Sequence, residues 1–193
     1  MATRKVALDE IVGLQRYEEI RDDFRRRTID LKRQRRVSVG DRVTFVFENH
    51  ETMLFQIQEM LRAERIVDLD GIRSEIEVYN TLIPDPGELS ATMLIEITES
   101  SRIRDELVSL IGIDEAVCLQ VGPYSIPAEF EAGRSKEDKL SAVQYVRFKF
   151  PEAARQAFLN PKEKVRLVIE HLQYQRQSEL PEAVRQSLAE DLR

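Results

Sequence analysis

The chain has 193 residues, 42% of them hydrophobic and 33% charged, with a formal net charge of −6. That balance excludes a disordered chain and suits one compact domain, whose core could bury about 70% of the unfolded surface. No apolar run approaches the roughly 18 residues that cross a bilayer, and Met1-Ala-Thr-Arg-Lys5 lacks the apolar stretch of a signal peptide, so cytoplasmic residence is the expectation. The single cysteine, Cys118, excludes an internal disulfide.

The spacing predicts a first helix from about residue 8, bent near Gly13. From there Tyr17, Ile20, Phe24, Thr28 and Leu31 share one face, and Arg21, Arg25, Lys32 and Arg36 form a stripe beside it. Between Phe24 and Arg36 seven basic residues accompany one acid, Asp30, which leaves the remainder strongly acidic. Such a block binds an anion or docks on an acidic face of the same fold or of a second subunit. Residues 37–41 then end the helix and turn the chain.

Residues 42–48 read as a strand with Val43, Phe45 and Phe47 on one face. A helix over 51–65 follows, with Asn49 or His50 near its N-cap, and another over 71–82 that Pro84-Asp-Pro-Gly87 stops. Alternation predicts a strand over 89–98, and Ser100 or Ser101 caps a helix ending near Gly112. Residues 116–121 form a strand, whereas 122–141, with a charge cluster at 134–139, read as a long polar loop. A strand over 143–150, a short helix over 152–159, a strand over 164–171 and a terminal helix from Pro181 complete the chain. The pattern predicts a single α+β domain: one mixed or mainly antiparallel sheet of about five strands, packed with helices, and a long N-terminal helix.

On a helical wheel Met53, Ile57, Met60, Leu61 and Glu64 fall on one arc, while Thr52, Gln56 and Glu59 form a second stripe. An acid on an apolar face must be paired, hydrogen-bonded or protonated. Glu48, Glu59 and Glu64 are therefore the candidate acid/base residues, and an arginine of the basic helix is the simplest partner for Glu64. His50 and His171 with Glu59, Glu48 or Glu170 make a candidate two-histidine, one-carboxylate metal site, although neither histidine has ligand spacing with a neighbour. Asn49, Thr52, Gln56 and Tyr79 are the candidate pocket residues. There is no Gly-x-Ser-x-Gly, Gly-x-Gly-x-x-Gly or Walker motif, so no cofactor is indicated. A pI of about 5.2 and the absence of tryptophan disfavour nucleic acid as the ligand of the basic helix.

The segments Arg33-Gln-Arg-Arg-Val-Ser-Val-Gly40, Gln56-Ile-Gln-Glu-Met-Leu-Arg-Ala-Glu-Arg-Ile66, Tyr79-Asn-Thr-Leu-Ile-Pro84 and Leu110-Ile-Gly-Ile113 carry a family resemblance. So do Arg147-Phe-Lys-Phe150 and Val168-Ile-Glu-His171 with Tyr174. Together they resemble a bacterial family known as domain of unknown function 3501, over nearly the whole chain. Members are often encoded beside rubrerythrin-like proteins and iron–sulfur oxidoreductases, so the resemblance implies a partner in redox or peroxide metabolism. It supplies no catalytic residues. The expected function is an accessory protein that binds another protein through Arg21, Arg25, Lys32 and Arg36. A metal or redox enzyme and a nucleic-acid binder are the alternatives, and a homo-oligomer remains open.

Overall fold

The computed structural model describes residues 4–131, 135–136 and 139–193. After a 3-10 turn at Leu8–Glu10 come helix α1 (Leu14–Arg33), the hairpin β1 (Arg36–Val39) and β2 (Val43–Glu48), then α2 (His50–Glu64) and α3 (Leu69–Asn80). The chain continues through β3 (Glu88–Ile95), α4 (Ile103–Ser109), β4 (Val117–Val121) and β5 (Tyr124–Phe130). A small β6 (Ser135–Lys136) and β7 (Lys139–Leu140) pair precedes β8 (Val143–Lys149), α5 (Glu152–Leu159), β9 (Val165–His171), β10 (Tyr174–Glu179) and α6 (Glu182–Asp191). None of the helices among the described residues is long and apolar enough to cross a membrane.

Eight strands form one sheet in the order β1-β2-β3-β8-β5-β4-β9-β10, and every pairing is antiparallel. The two outer strands come back beside each other, so the sheet curls into a nearly closed barrel. The expectation of an α+β domain on a sheet of about five strands is thereby corrected. Three strands escaped the sequence pattern for identifiable reasons. β1 is only four residues long, with two inward valines. β5 buries Ile126 alone and contains Pro127, a residue that argues against a strand inside a sheet. β10 is polar after Tyr174. Much of the supposed polar loop is therefore sheet; within it, residues 132–134 and 137–138 lie outside the described residues.

The barrel interior is filled. Phe45 and Phe47 of β2, Met93 of β3, Phe148 of β8, Leu119 of β4 and Leu167 of β9 are all buried in one cluster. At the end where β2 leaves, Phe158 of α5, Leu188 of α6 and Leu192 just after it join that cluster; at the end where β2 enters, Leu110 and Ile113 do. A second apolar cluster lies among the outer helices, where Met53, Ile57 and Leu61 of α2 meet Ile76, Ile83 and Val6. Both faces of β2 are buried as a result.

The seam between β1 and β10 is held at its two ends. At the entry end the Tyr174 hydroxyl donates to the Val39 carbonyl (2.6 Å) and accepts from the Arg42 N–H (3.1 Å). Gly40 turns the hairpin there at φ 73°, directly against that hydroxyl. At the exit end Arg35, 1% exposed, donates to the Phe47 carbonyl (2.9 Å), to the Glu48 carbonyl (3.2 Å) and to the Asp191 carboxylate of α6. Ser187 Oγ completes its surroundings at 3.1 Å.

Candidate functional site

The polar corner between β2 and α2 is built by the sequence Glu48-Asn-His-Glu-Thr52. Asn49 leaves the strand extended and caps α2: its Oδ1 accepts from the Thr52 N–H (3.1 Å), and Thr52 Oγ1 accepts from the Asn49 N–H (2.9 Å). Both are thus helix-start residues that satisfy otherwise orphaned N–H groups, a role worth about 1 kcal/mol. Glu48 is buried on the outer face of β2, where it accepts from Thr92 Oγ1 (2.7 Å) and Gln56 Nε2 (3.4 Å). Lys32 of α1 stands 4.0 Å from the same carboxylate.

Glu59, one of the predicted acid/base candidates, sits in an ion-pair and hydrogen-bond knot. Glu59 receives a bidentate pair from Arg21 (2.8 and 2.8 Å) and the Tyr17 hydroxyl (2.8 Å). The Arg21 guanidinium holds the Glu59 carboxyl below the usual range against the opposing effect of burial, while burial and Glu59 together push the Tyr17 phenol up. The basic helix therefore does supply internal partners, but to Glu59 and Glu48. Glu64 is exposed, because Arg65 at φ 54° ends α2 immediately after it. Within α2 the apolar contacts with the outer cluster end at Leu61, one turn before Glu64.

Glu59 also provides a direct test of linkage. Its depressed carboxyl contributes stability above the unfolded value of about 4.3, and this is lost as pH falls through the lower folded value. Glu59→Gln is expected to cost about 1–2 kcal/mol at neutral pH, a range discounted for partial exposure. Urea unfolding of the two proteins between pH 7 and about 3 should show that difference shrinking on acidification; a constant gap would mean that the carboxylate charge is not what stabilises.

The histidines do not meet. His50, in the first turn of α2, faces Glu10 (2.9 Å) with Nε2 and Glu51 (3.3 Å) with Nδ1, and Arg4 also lies 3.2 Å from Nε2. Burial opposes ionisation of Glu10, but the Ala7 N–H, Arg4 and His50 outweigh it and hold the carboxyl low. His171 sits at the opposite end of the barrel, where Nε2 donates to the Ile111 carbonyl (2.9 Å) and Nδ1 accepts from the Gln173 N–H (3.2 Å). Among the described residues no group of three or more His, Cys, Asp or Glu side chains comes together as a metal site. Tyr79 is half-buried against the α2–α3 core, and burial raises its phenol, with Tyr145 and Glu75 adding to the effect.

Of the predicted binding stripe, Arg21 is consumed by Glu59, Lys32 leans on Glu48, and Arg36 pairs with Glu96 (2.6 Å). Arg25 remains on the exposed side of α1. There Ile29, 43% exposed, is flanked at helical spacing by Arg25, Arg26 and Arg33. The Arg26 and Arg33 side chains are 74% and 75% exposed, each beside a local aspartate, Asp23 or Asp30. Lys32 and Arg33 fall in the last turn of α1, which suits the helix dipole. Sequence reasoning missed Arg35, Asp191 and Arg185. Arg185 is buried and donates to the carbonyls of Phe158, Asn160, Pro161 and Glu163 beyond α5. No spacing signal marks such long-range or backbone partners.

The geometry defines a filled antiparallel barrel sheathed by helices, with the candidate acids Glu48 and Glu59 tied into ion pairs and hydrogen bonds and Glu64 exposed. By the match of residues 5–192, the chain belongs to the family described as protein of unknown function (DUF3501). It is similar to a solved structure from Burkholderia pseudomallei K96243, described as a novel protein of unknown function, with 30% identity and a TM-score of 0.92 over 98% of this chain and 100% of that one. No curated protein matches.

Proposed function

We propose that the protein is a binding component that docks on an acidic surface of another protein through the exposed C-terminal half of α1. The observation that carries this reading is the exposed Ile29 set among Arg25, Arg26 and Arg33. An apolar anchor ringed by guanidinium groups is a favourable composition for an interface, where arginine is enriched and lysine depleted. The local Asp23 and Asp30 pairs are surface pairs of small worth, so a partner's carboxylates can replace them. A rubrerythrin-like or iron–sulfur protein is the partner class proposed for the first test, from the family resemblance.

The test is titration of such a protein from the same organism, by calorimetry at two salt concentrations. Arg25→Glu, Arg26→Glu and Arg33→Glu together are expected to weaken binding by at least about thirtyfold, and Ile29→Asp alone by about tenfold. Binding that is equally tight in the triple variant removes α1 as the docking surface. Duplex DNA that binds the native chain and is lost in the same variant would assign the surface to nucleic acid instead.

A further inference from the structure

The outer face of the barrel continues past the β2–α2 corner onto β3, β8 and β5. On these strands Ala91, Val146, Phe148 and Ala128 pack toward the barrel core, so their neighbours along each strand point outward. The register sets the outward side chains in two rows. Ser90, Arg147 and Glu129 lie opposite one another across the three strands. Tyr145 comes next along β8, and beside it the Glu131 N–H donates to the Tyr145 carbonyl (3.0 Å). Thr81 and Leu82, just beyond α3, close the far side, and a cavity of about 290 Å³ lies between.

Two observations mark this cavity as a site. Ser90 is 3% exposed and lines it, yet none of the described residues makes a hydrogen bond with its hydroxyl. Its cross-strand neighbour Glu48 is turned to Thr92 and Gln56 instead. A buried hydroxyl ordinarily has a partner, and here the open side is the cavity. The second observation is the sign of the lining. The Arg147 guanidinium is already held by Glu88 (2.8 Å) and by the Thr81 carbonyl. The other charged groups of the lining are the carboxylates of Glu129 and Glu131, two residues apart on one face. Glu129 pairs with Lys149 (2.6 Å), but both side chains are about half exposed, and a ligand's cation can replace so weak a contact.

We propose that this cavity binds a small organic ammonium ion. An ammonium group carries three donors and no acceptor, which matches two carboxylates and a hydroxyl. Glu129 and Glu131 balance its charge, and the Ser90 Oγ accepts one of its N–H groups. Tyr145 supplies an aromatic wall, a surface that favours a cation, and Leu82 takes the alkyl stem. An anion would meet the same two carboxylates and a guanidinium that is already engaged.

The test titrates the isotope-labelled full-length chain with n-butylammonium chloride and follows its amide resonances. Shifts are expected at Ser90, Glu131, Tyr145 and Arg147, with a Kd at or below about 1 mM. Butyrate and 1-butanol keep the stem and lose the cation, and each should bind at least about tenfold more weakly. Glu129→Gln with Glu131→Gln should weaken n-butylammonium by at least about tenfold, and Ser90→Ala by about threefold. The spectrum of each variant away from the cavity should match that of the native chain. No shift at the cavity up to about 10 mM overturns the proposal. So does equal binding of 1-butanol, and so does undiminished affinity in the double variant. If the double variant fails to fold, Glu131→Gln and Ser90→Ala carry the same decision singly, and unchanged affinity in both overturns it.

Discussion

Asp191→Ala is expected to destabilise the protein by about 3–5 kcal/mol, measured as a lower midpoint of urea unfolding with an unchanged slope. The cost arises on the other side of the pair. Arg35 is 1% exposed, and without Asp191 its guanidinium keeps only the Phe47 and Glu48 carbonyls and the two oxygens of Ser187. Neutral acceptors compensate a buried charge poorly. The pair itself need not be strongly stabilising: burial pushes the Asp191 carboxyl above its ordinary range, although Arg35 pulls it back. Its linkage sign is therefore opposite to that of Glu59. A carboxyl raised in the folded state favours folding on the acid side and loses that contribution as pH rises through its folded value. Replacing both partners with apolar residues, as in Arg35→Met with Asp191→Leu, is expected to recover most of the loss. A double variant as unstable as the single one would show that the charge pair is indispensable to the barrel mouth.

The second large effect is expected at the opposite end of the seam. Gly40→Ala should cost about 2–4 kcal/mol, because the added Cβ meets the Tyr174 hydroxyl and the backbone stands at φ 73°. Tyr174→Phe relieves the contact with the hydroxyl, though not that with Arg176 Cγ, and leaves the Val39 carbonyl and the Arg42 N–H without their partner, for about 1–2 kcal/mol. The Tyr174 ring also lies between the Arg42 and Arg176 guanidinium groups, at 4.7 and 5.5 Å, and Phe keeps that stacking. Gly40→Ala in the Tyr174→Phe background should cost less than in the native chain, since the nearest contact of the added Cβ has gone while Arg176 Cγ at 2.7 Å and the positive φ remain. Thermal unfolding of the four proteins measures the coupling, and simple additivity would disconnect Gly40 from Tyr174.

How far the sequence carries can be seen in single residues. The periodicity of α2 located Met53, Ile57 and Leu61 on the buried face, and the alternation of β2 and β3 located Phe45, Phe47 and Met93. It also marked the β2–α2 corner as polar. It could not show that Asn49 and Thr52 satisfy each other, or that Glu59 rather than Glu64 receives the arginine, because helix length and the neighbouring helix decide both. The polar strand β10 and the proline-bearing β5 belong to the sheet through their pairing, which only the closed sheet makes favourable. Arg35 looked like one more cation of a basic block. Its burial follows from a partner 156 residues away.

That separation has a consequence for the newborn chain. During synthesis β1 and β2 are complete while β10 and α6 are still untranslated, so the sheet cannot curl shut until β10 and α6 have left the ribosome. Until then β1 presents a bare edge beside half-formed apolar floor, open to a neighbour's strand. Asp191, the last residue of α6, acts as the closing latch. A chain interrupted before Asp191 would carry every strand of the barrel without its fastening.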